Sequence, residues 1–591
     1  MRNQDMSKLR LFSVMFFSVI TVACTKLSVS GDPVLENSQS VTHVETLPPT
    51  QEYQSIELEE RFDNWWETTV FYQIWPRSFH DADGDGNGDF KGMTAKLDYL
   101  KELGIGGIWL TPVFEAPSYH GYDFQDFYAI ESDYGSMQDF EEFVAQSHRR
   151  DIKVILDLVI NHISSEHPWF LKSAAKEPGF EDFFIWRKDI PEGWGKPWST
   201  EAHSDWVWIW NDRRQEYYYA AFGGHMPDIN LENAKVVAEI NKLASFWLEK
   251  GVDGFRLDAI RYAMEEGPIP LQADTQGTID YWAQFTKHVK SIKPDAMLVG
   301  EAWTALPTAG KYYTQGEGLM SVFDFEFGYS VLGILQPDSP RLADFGSTSD
   351  IPLNHGREDL WFNLKQRNVS APLSFFAPFL TNHDQNRLMH SLVGNVTKAK
   401  VAASLLATTP GGIFIYYGEE IGMSQFATGD DVYRRSIMLW DASEAAGFNS
   451  TGQIWSDQSR WFPWDQDYQG WWDGYWQSLR AEGGHSVVEQ QADTNSLWHH
   501  YKKLLEIRNS SLVLQDPDEI RYFPVDNMNV WLVQYMRGGS VTAVMINLDT
   551  EDSSEFVVPV AIQGGVVDKV SGKALVLEET FELDPGQTVI F

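Results

Sequence analysis

The sequence predicts an α/β protein: a (β/α)8 barrel with an inserted subdomain after strand three and a C-terminal antiparallel β-sandwich domain. Three observations carry this expectation. Eight short apolar runs alternate with longer stretches of helical period, one interval breaks that alternation, and the period changes to two near the C-terminus.

The expected strands are 70–75, 107–111, 154–159, 254–258, 297–301, 321–325, 379–384 and 412–417, with helical patterns such as 234–250 and 279–292 between them. Eight strand-helix units are most economically closed into a barrel. Between His162 and Met226 there are many Trp, Tyr, Pro and Gly residues and no single helix, so a small subdomain protrudes there. After about Ser510 the alternation in VWLVQY (from Val530) and VTAVMI (from Val541) marks antiparallel strands. The expected boundaries are a signal peptide at 1–23, a tether at 24–60, the barrel at 61–162 and 226–508, the insert at 163–225 and the β-domain at 509–591.

Charge and composition exclude some functions. Lys and Arg total 46 against 84 Asp and Glu, a net charge of −38, and so acidic a surface disfavours nucleic acid. The 24 tryptophans exceed what core packing usually needs; such rings serve as sugar platforms or as ordinary core and lid packing. A single cysteine, Cys24, rules out an intrachain disulfide.

That cysteine follows a positive stretch (Lys8, Arg10) and an apolar run from Leu11 to Ala23, too short to span a bilayer and suited to a secretory signal. Thr21-Val22-Ala23-Cys24 resembles the lipobox of bacterial lipoproteins, although Leu is usual where Thr21 stands; a plain signal peptide cleaved nearby is the alternative. The polar stretch that follows reads as a flexible tether. The expectation is an exported chain, lipid-anchored to the cell envelope (the outer membrane if present) or extracellular, meeting membrane through the anchor alone.

Four strand ends bring polar groups to one rim: Asp157-Leu-Val-Ile-Asn161-His162, Gly254-Phe-Arg256-Leu-Asp258, Gly300-Glu301 and Asn382-His383-Asp384. Active sites of such barrels lie at the C-terminal strand ends. Crowding Asp258, Glu301 and Asp384 beside Arg256, His162 and His383 raises carboxylate pKa values and strains the fold, so the cluster points to chemistry rather than to scattered loop acids. Another pattern, Asp81-Ala-Asp83-Gly-Asp85-Gly-Asn87-Gly-Asp89, lets a tight loop offer oxygen ligands to Ca²⁺. It is not an EF-hand, since the twelfth position is Gly92, and an acidic turn without metal is the alternative. The glycines at 104, 106 and 107 lack dinucleotide-binding spacing, and there is no ATP loop.

These strings closely resemble the conserved regions of the alpha-amylase family, glycoside hydrolase family 13: DLVINH (157–162), GFRLDA (254–259), VGEAW (299–303) and TNHD (381–384). YQIWPRSF (72–79), GIWLTPVF (107–114), HGYD (120–123), MPDIN (226–230) and GGIFIYYGEE (411–420) support the match, which runs in order over roughly residues 65–505. The resemblance implies a TIM barrel and retaining cleavage of glycosidic bonds, with a carboxylate nucleophile and a carboxylic acid about 5 to 5.5 Å apart. It assigns Asp258 as nucleophile, Glu301 as acid and base, and Asp384 as the acid binding the sugar's 2- and 3-hydroxyls. Neighbouring carboxylates are expected to raise Glu301. Arg256 would orient the nucleophile, His162 and His383 would donate to hydroxyls, and Tyr122 would stack under the reacting glucose. Asp123 and Arg387 would lie at the non-reducing side.

The resemblance also implies calcium at the 81–89 loop, with Asn87 using its backbone carbonyl. A second calcium near Asn161 is less secure, because the chain reads Ala259-Ile-Arg261-Tyr262 where many amylases carry Lys-His after the nucleophile. MPDIN resembles the MPDLN string of an alpha-amylase group between oligo-1,6-glucosidases and neopullulanases. Ala259, where many 1,6-specific enzymes have Val, favours α-1,4 bonds, whereas the Asp123 and Arg387 pair resembles residues that close the pocket of exo-glucosidases. The leading expectation is a monomeric alpha-amylase on starch or maltooligosaccharides. An α-glucosidase, an oligo-1,6-glucosidase and a transglycosylating member remain as alternatives. A catalytically dead glycan-binding homologue is disfavoured because all three acids are present.

Overall fold

The computed structural model describes residues 53–58, 64–337, 356–458 and 471–591. The expected signal peptide, Cys24 and most of the expected tether lie outside the described residues. Eight parallel strands form the centre: β1 (Val70–Ile74), β2 (Gly107–Leu110), β3 (Lys153–Leu158), β4 (Gly254–Leu257), β5 (Met297–Gly300), β6 (Ser321–Asp324), β7 (Phe376–Pro378) and β8 (Ile413–Tyr416). They pair in the order β7-β6-β5-β4-β3-β2-β1-β8, and a parallel bridge between Phe379 and Phe414 closes the ring.

Strand alternation divides the apolar side chains between two clusters. Phe71, Trp109, Ile155, Val299, Phe323 and Phe414 pack together inside the barrel, with the Phe71 and Phe414 rings stacked at 4.3 Å. Their neighbours Tyr72, Ile108, Leu156, Leu298, Val322 and Ile415 join the larger core outside, which includes Ile240, Leu243 and Trp247 of α1 (Ala234–Glu249) and Trp282 and Phe285 of α2 (Gln276–Ile292). α2 begins three residues before the expected 279 because the Thr275 side chain caps it by accepting from the Thr278 amide.

The seventh strand differs from the expected 379–384: it is Phe376–Pro378. Beyond Pro378 the Asn382 side chain accepts from the Asp384 amide at 2.9 Å, turning the chain out of the sheet. The expected end of the strand is therefore a rim loop.

The insert contains a three-stranded antiparallel sheet, Trp186–Arg187, Trp208–Asn211 and Glu216–Tyr219, with the last in the middle. It also contains a helix, Pro168–Ala174, where none was expected; seven residues starting at a proline are too few to show a helical period. Pairing with the insert continues past residue 225, through bridges from His162 to Asp228 and Phe184 to Ile229.

At the C-terminal end, a five-stranded antiparallel sheet runs in the order Gln54–Glu57, Glu519–Tyr522, Val530–Arg537, Ser540–Asn547 and Thr588–Ile590. One face (Trp531, Val533, Tyr535) packs into the main core, and the other (Val530, Leu532) meets Phe556, Leu577 and Leu583 of two short ladders. Gln54–Glu57 corrects the tether expectation. These residues form an edge strand in register with Glu519–Tyr522, with Ile56 only 6% exposed. An edge strand with a single inward apolar residue leaves almost no periodic signal.

Candidate active site

The rim is built by continuing the barrel's alternation one layer above the aromatic floor. On β4, Phe255 and Leu257 face the helices, so Arg256 points inward, and the parallel register sets it beside Asp157 of β3. Its guanidinium lies 5.2 Å above the Trp109 ring. Completely buried, Arg256 is the hub of the site: Nη1 donates to Asp157 at 2.8 and 3.0 Å and to Asp258 Oδ1 at 2.7 Å, while Nη2 reaches Glu301 Oε2 at 2.9 Å.

Three carboxylates thus share one cation. Burial pushes Glu301 up to about 8; Arg256 opposes that shift, while Asp258 and Asp384 add to it. The sequence expectation of a raised Glu301 agrees in direction, but desolvation leads and the neighbouring carboxylates come second. Burial likewise raises Asp157, against the hydrogen bonds it receives from Arg256 and Tyr122. Ala259, directly after Asp258, has a left-handed backbone (φ 50°), costly for a residue with a Cβ, and this turn aims its amide at Glu301 Oε2 at 3.0 Å.

A second chain of contacts orders the opposite side. Gln73 Nε2 donates to His383 Nδ1 at 2.7 Å, which places the ring proton on Nε2. Nε2 lies 2.5 Å from Tyr122 Oη and 3.1 Å from Asp384 Oδ2, and Tyr122 donates in turn to Asp157 at 3.0 Å. His383 is fully buried, which holds it neutral, well below the usual range for histidine. Its ring stacks parallel to Tyr122 at 5.5 Å.

Asp258, Glu301 and Asp384 open into a cavity of about 630 Å³, together with Tyr122 and His162. Burial lowers His162 to about 4, so it is neutral. Asp123 and Arg387, expected at the non-reducing side, do not line this cavity. Asp123 is buried and accepts from the Ser118 hydroxyl. Arg387 donates to the Tyr417 carbonyl at 2.8 Å and lies 4.5 Å from the Tyr416 and Tyr417 rings. Tyr119, His120, Asp431 and Arg435 do line the cavity. Arg435 Nη2 bridges Asp384 Oδ1 at 2.9 Å and Asp431 Oδ2 at 3.0 Å, with its guanidinium 4.5 Å from the Trp75 ring. Nothing in the sequence pairs Arg435 with Asp384; the only local sign is a basic pair ahead of the apolar run SIMLW. The far wall is aromatic, with Trp198, Phe222 and Tyr262 at mutual ring distances of 5.2 to 6.0 Å.

In the acidic loop, carboxylate oxygens of Asp81, Asp83 and Asp89 lie within 4.8 Å of one another, the spacing a hard cation needs, and no other such trio of His, Cys, Asp or Glu occurs among the described residues. Asp85 stands outside this trio, and its Oδ1 accepts from the Asn87 amide and side chain at 2.7 and 3.1 Å. The Asn87 side chain accepts from Arg77. Near the barrel rim, Asn161 Nδ2 donates to buried Asp228 at 2.9 Å. Close enough to Asp228 for its charge to be felt, Glu265 buries Oε1 with no hydrogen-bond partner, and burial followed by Asp228 pushes its carboxyl well above the usual range.

A closed parallel barrel with paired carboxyl groups at its C-terminal rim, one of them holding its proton at neutral pH, has the layout of a glycoside hydrolase. Comparison with known proteins agrees. The alpha-amylase catalytic domain matches residues 73–516, and the chain belongs to that family, glycoside hydrolase family 13. It is 37% identical over 448 residues to Alpha-amylase 3 of Dictyoglomus thermophilum, covering 75% of this chain and 77% of that protein. It is 32% identical over 490 residues to an oligo-1,6-glucosidase of Bacillus cereus, covering 76% and 85%. The crystal structure of the alpha-amylase from H. orenii superposes with a TM-score of 0.71 at 31% identity, covering 89% of this chain and 99% of that one.

Proposed function

We propose that the protein is a retaining endo-acting alpha-amylase that cleaves α-1,4-glucosidic bonds in starch, maltodextrins or maltooligosaccharides. The observation that carries the chemistry is the Arg256 fork, which holds Asp258 and Glu301 on adjacent nitrogens while burial keeps Glu301 protonated to about pH 8. Asp258 attacks the anomeric carbon as Glu301 gives its proton to the departing oxygen, forming a glycosyl ester. Glu301 then takes a proton from water, the water oxygen attacks the anomeric carbon, and the ester bond to Asp258 breaks. Asp384, fixed by Arg435, accepts from the sugar's hydroxyls; Tyr122 stacks under the ring and His162 donates at its edge.

Endo action is supported by the 37% identity to Alpha-amylase 3 of Dictyoglomus thermophilum, and Ala259 after Asp258 favours α-1,4 bonds. An α-glucosidase is the second reading, favoured by relatives such as Maltase 1 of Drosophila virilis, 31% identical over 556 residues. Early digestion of maltoheptaose separates the two: a mixture of chain lengths is expected, and glucose alone would overturn endo action.

We also propose structural calcium held by Asp81, Asp83 and Asp89. Export with lipid attachment at Cys24 completes the reading, since several acyl chains anchor far more firmly than one. Cys24→Ser should release the protein from membranes, and unchanged membrane association would refute the anchor.

A further inference from the structure

We propose that the inserted subdomain carries a second α-glucan-binding site on its outer surface, formed by Trp206 and Trp210 and separate from the catalytic cavity. The inference rests on the α-glucan reading above. Trp206 and Trp210 are 48% and 43% exposed, while every other tryptophan whose exposure is described is buried or half-buried. Leaving indole surface in water forgoes about 25 cal/mol for each Å² not buried, so two such rings four residues apart call for a ligand.

Strand register explains why Trp210 is open. Trp208 pairs with Tyr219, and Trp210 with Tyr217, so all four side chains share one face of the insert's sheet. At the inner end Trp194 covers Trp208 and Tyr219, with ring centroids 5.2 Å from each. At the outer end Trp210 meets Tyr217 at 5.0 Å and is otherwise exposed, its orientation set by the Nε1 bond to Asp212 at 2.9 Å. Trp206 stacks on His203 at 4.0 Å and 21°, which steadies the ring and leaves its opposite face to solvent.

Four residues span at most about 14 Å of backbone, a distance that a short oligosaccharide bridges. Flat, fixed aromatic faces bordered by hydroxyl acceptors such as Asp212 suit a sugar chain, whose rings have apolar faces and hydroxyl edges. A net charge of −38 disfavours an anionic ligand. Neither tryptophan lines the catalytic cavity, which the same subdomain walls with Trp198 and Phe222.

Affinity electrophoresis through amylopectin, with Asp258→Asn in every sample to prevent digestion, tests the site. The Trp206→Ala/Trp210→Ala double variant should bind amylopectin about tenfold more weakly, a change of about 1.4 kcal/mol. Trp206→Tyr/Trp210→Tyr, which keeps the rings, should retain most of the retardation. With Asp258 intact, kcat/KM on maltotriose should be the same in the alanine variant as in the parent. Equal retardation of the alanine variant, or a matching loss on maltotriose, overturns this site alone. A parent that neither cleaves nor binds amylopectin overturns the α-glucan reading and the site with it.

Discussion

Arg256 donates to Asp258 at 2.7 Å through one terminal nitrogen and reaches Glu301 at 2.9 Å through the other. A planar fork with fixed nitrogens sets the separation of the two carboxyl groups, which a lysine ammonium cannot do. Arg256→Lys keeps the charge and loses the geometry. Its kcat on maltoheptaose should fall on the order of 10²-fold, with KM changed much less. Parent-like kcat would show that the fork does not position the pair.

Glu301 must hold a proton to act as the acid, and its carboxyl is pushed up to about 8. Activity should therefore be lost as pH rises through about 8. The same shift affects stability: because the folded value lies above the ordinary 4.5, the stabilisation is complete below about 4.5 and is lost as pH rises to about 8. Glu301→Gln should flatten that part of the stability profile and leave only residual hydrolysis. An alkaline limb that stays at 8 in the residual activity of Glu301→Gln would assign it to another group.

Calcium at the acidic loop gives a contrast between neighbouring residues. Asp83 belongs to the trio within 4.8 Å and Asp85 does not, although both are exposed. Asp83→Ala should lose bound calcium and lower Tm by several degrees, while Asp85→Ala keeps both. Equal metal content in the two variants, measured by atomic emission, would dissolve the proposed site.

Ile56 anchors the edge strand Gln54–Glu57 to the C-terminal sheet. Ile56→Ala should cost about 2 kcal/mol in denaturant unfolding. Deleting residues 54–57 should expose Glu519–Tyr522 as an unpaired edge and increase light scattering. Unchanged stability and solubility would mean that the strand adds nothing to the sheet.

The sequence by itself determined the barrel and most of the site. Strand-end acids are local features: Asp258 follows Arg256 by two residues on one strand, Glu301 closes another, and Asp81 to Asp89 form one loop, so their spacing is written in the chain. Asp384 is legible too, although the strand before it ends at Pro378, because a rim loop and a strand end look alike in an apolar run.

Tertiary structure alone decided which distant groups meet. Arg435 reaches Asp384 across 51 residues of sequence, and Tyr122 reaches His383 across 261; neither contact leaves a periodic trace. Asp123 and Arg387 stand within matching strings yet are buried among protein partners, the Ser118 hydroxyl for one and the Tyr417 carbonyl for the other, because a side chain's surroundings depend on the packing around it. Ile56 found its place through a partner strand at the far end of the chain. Burial raised Glu301, and burial is a property of the folded molecule, since it counts everything that keeps water away rather than the residues next in line.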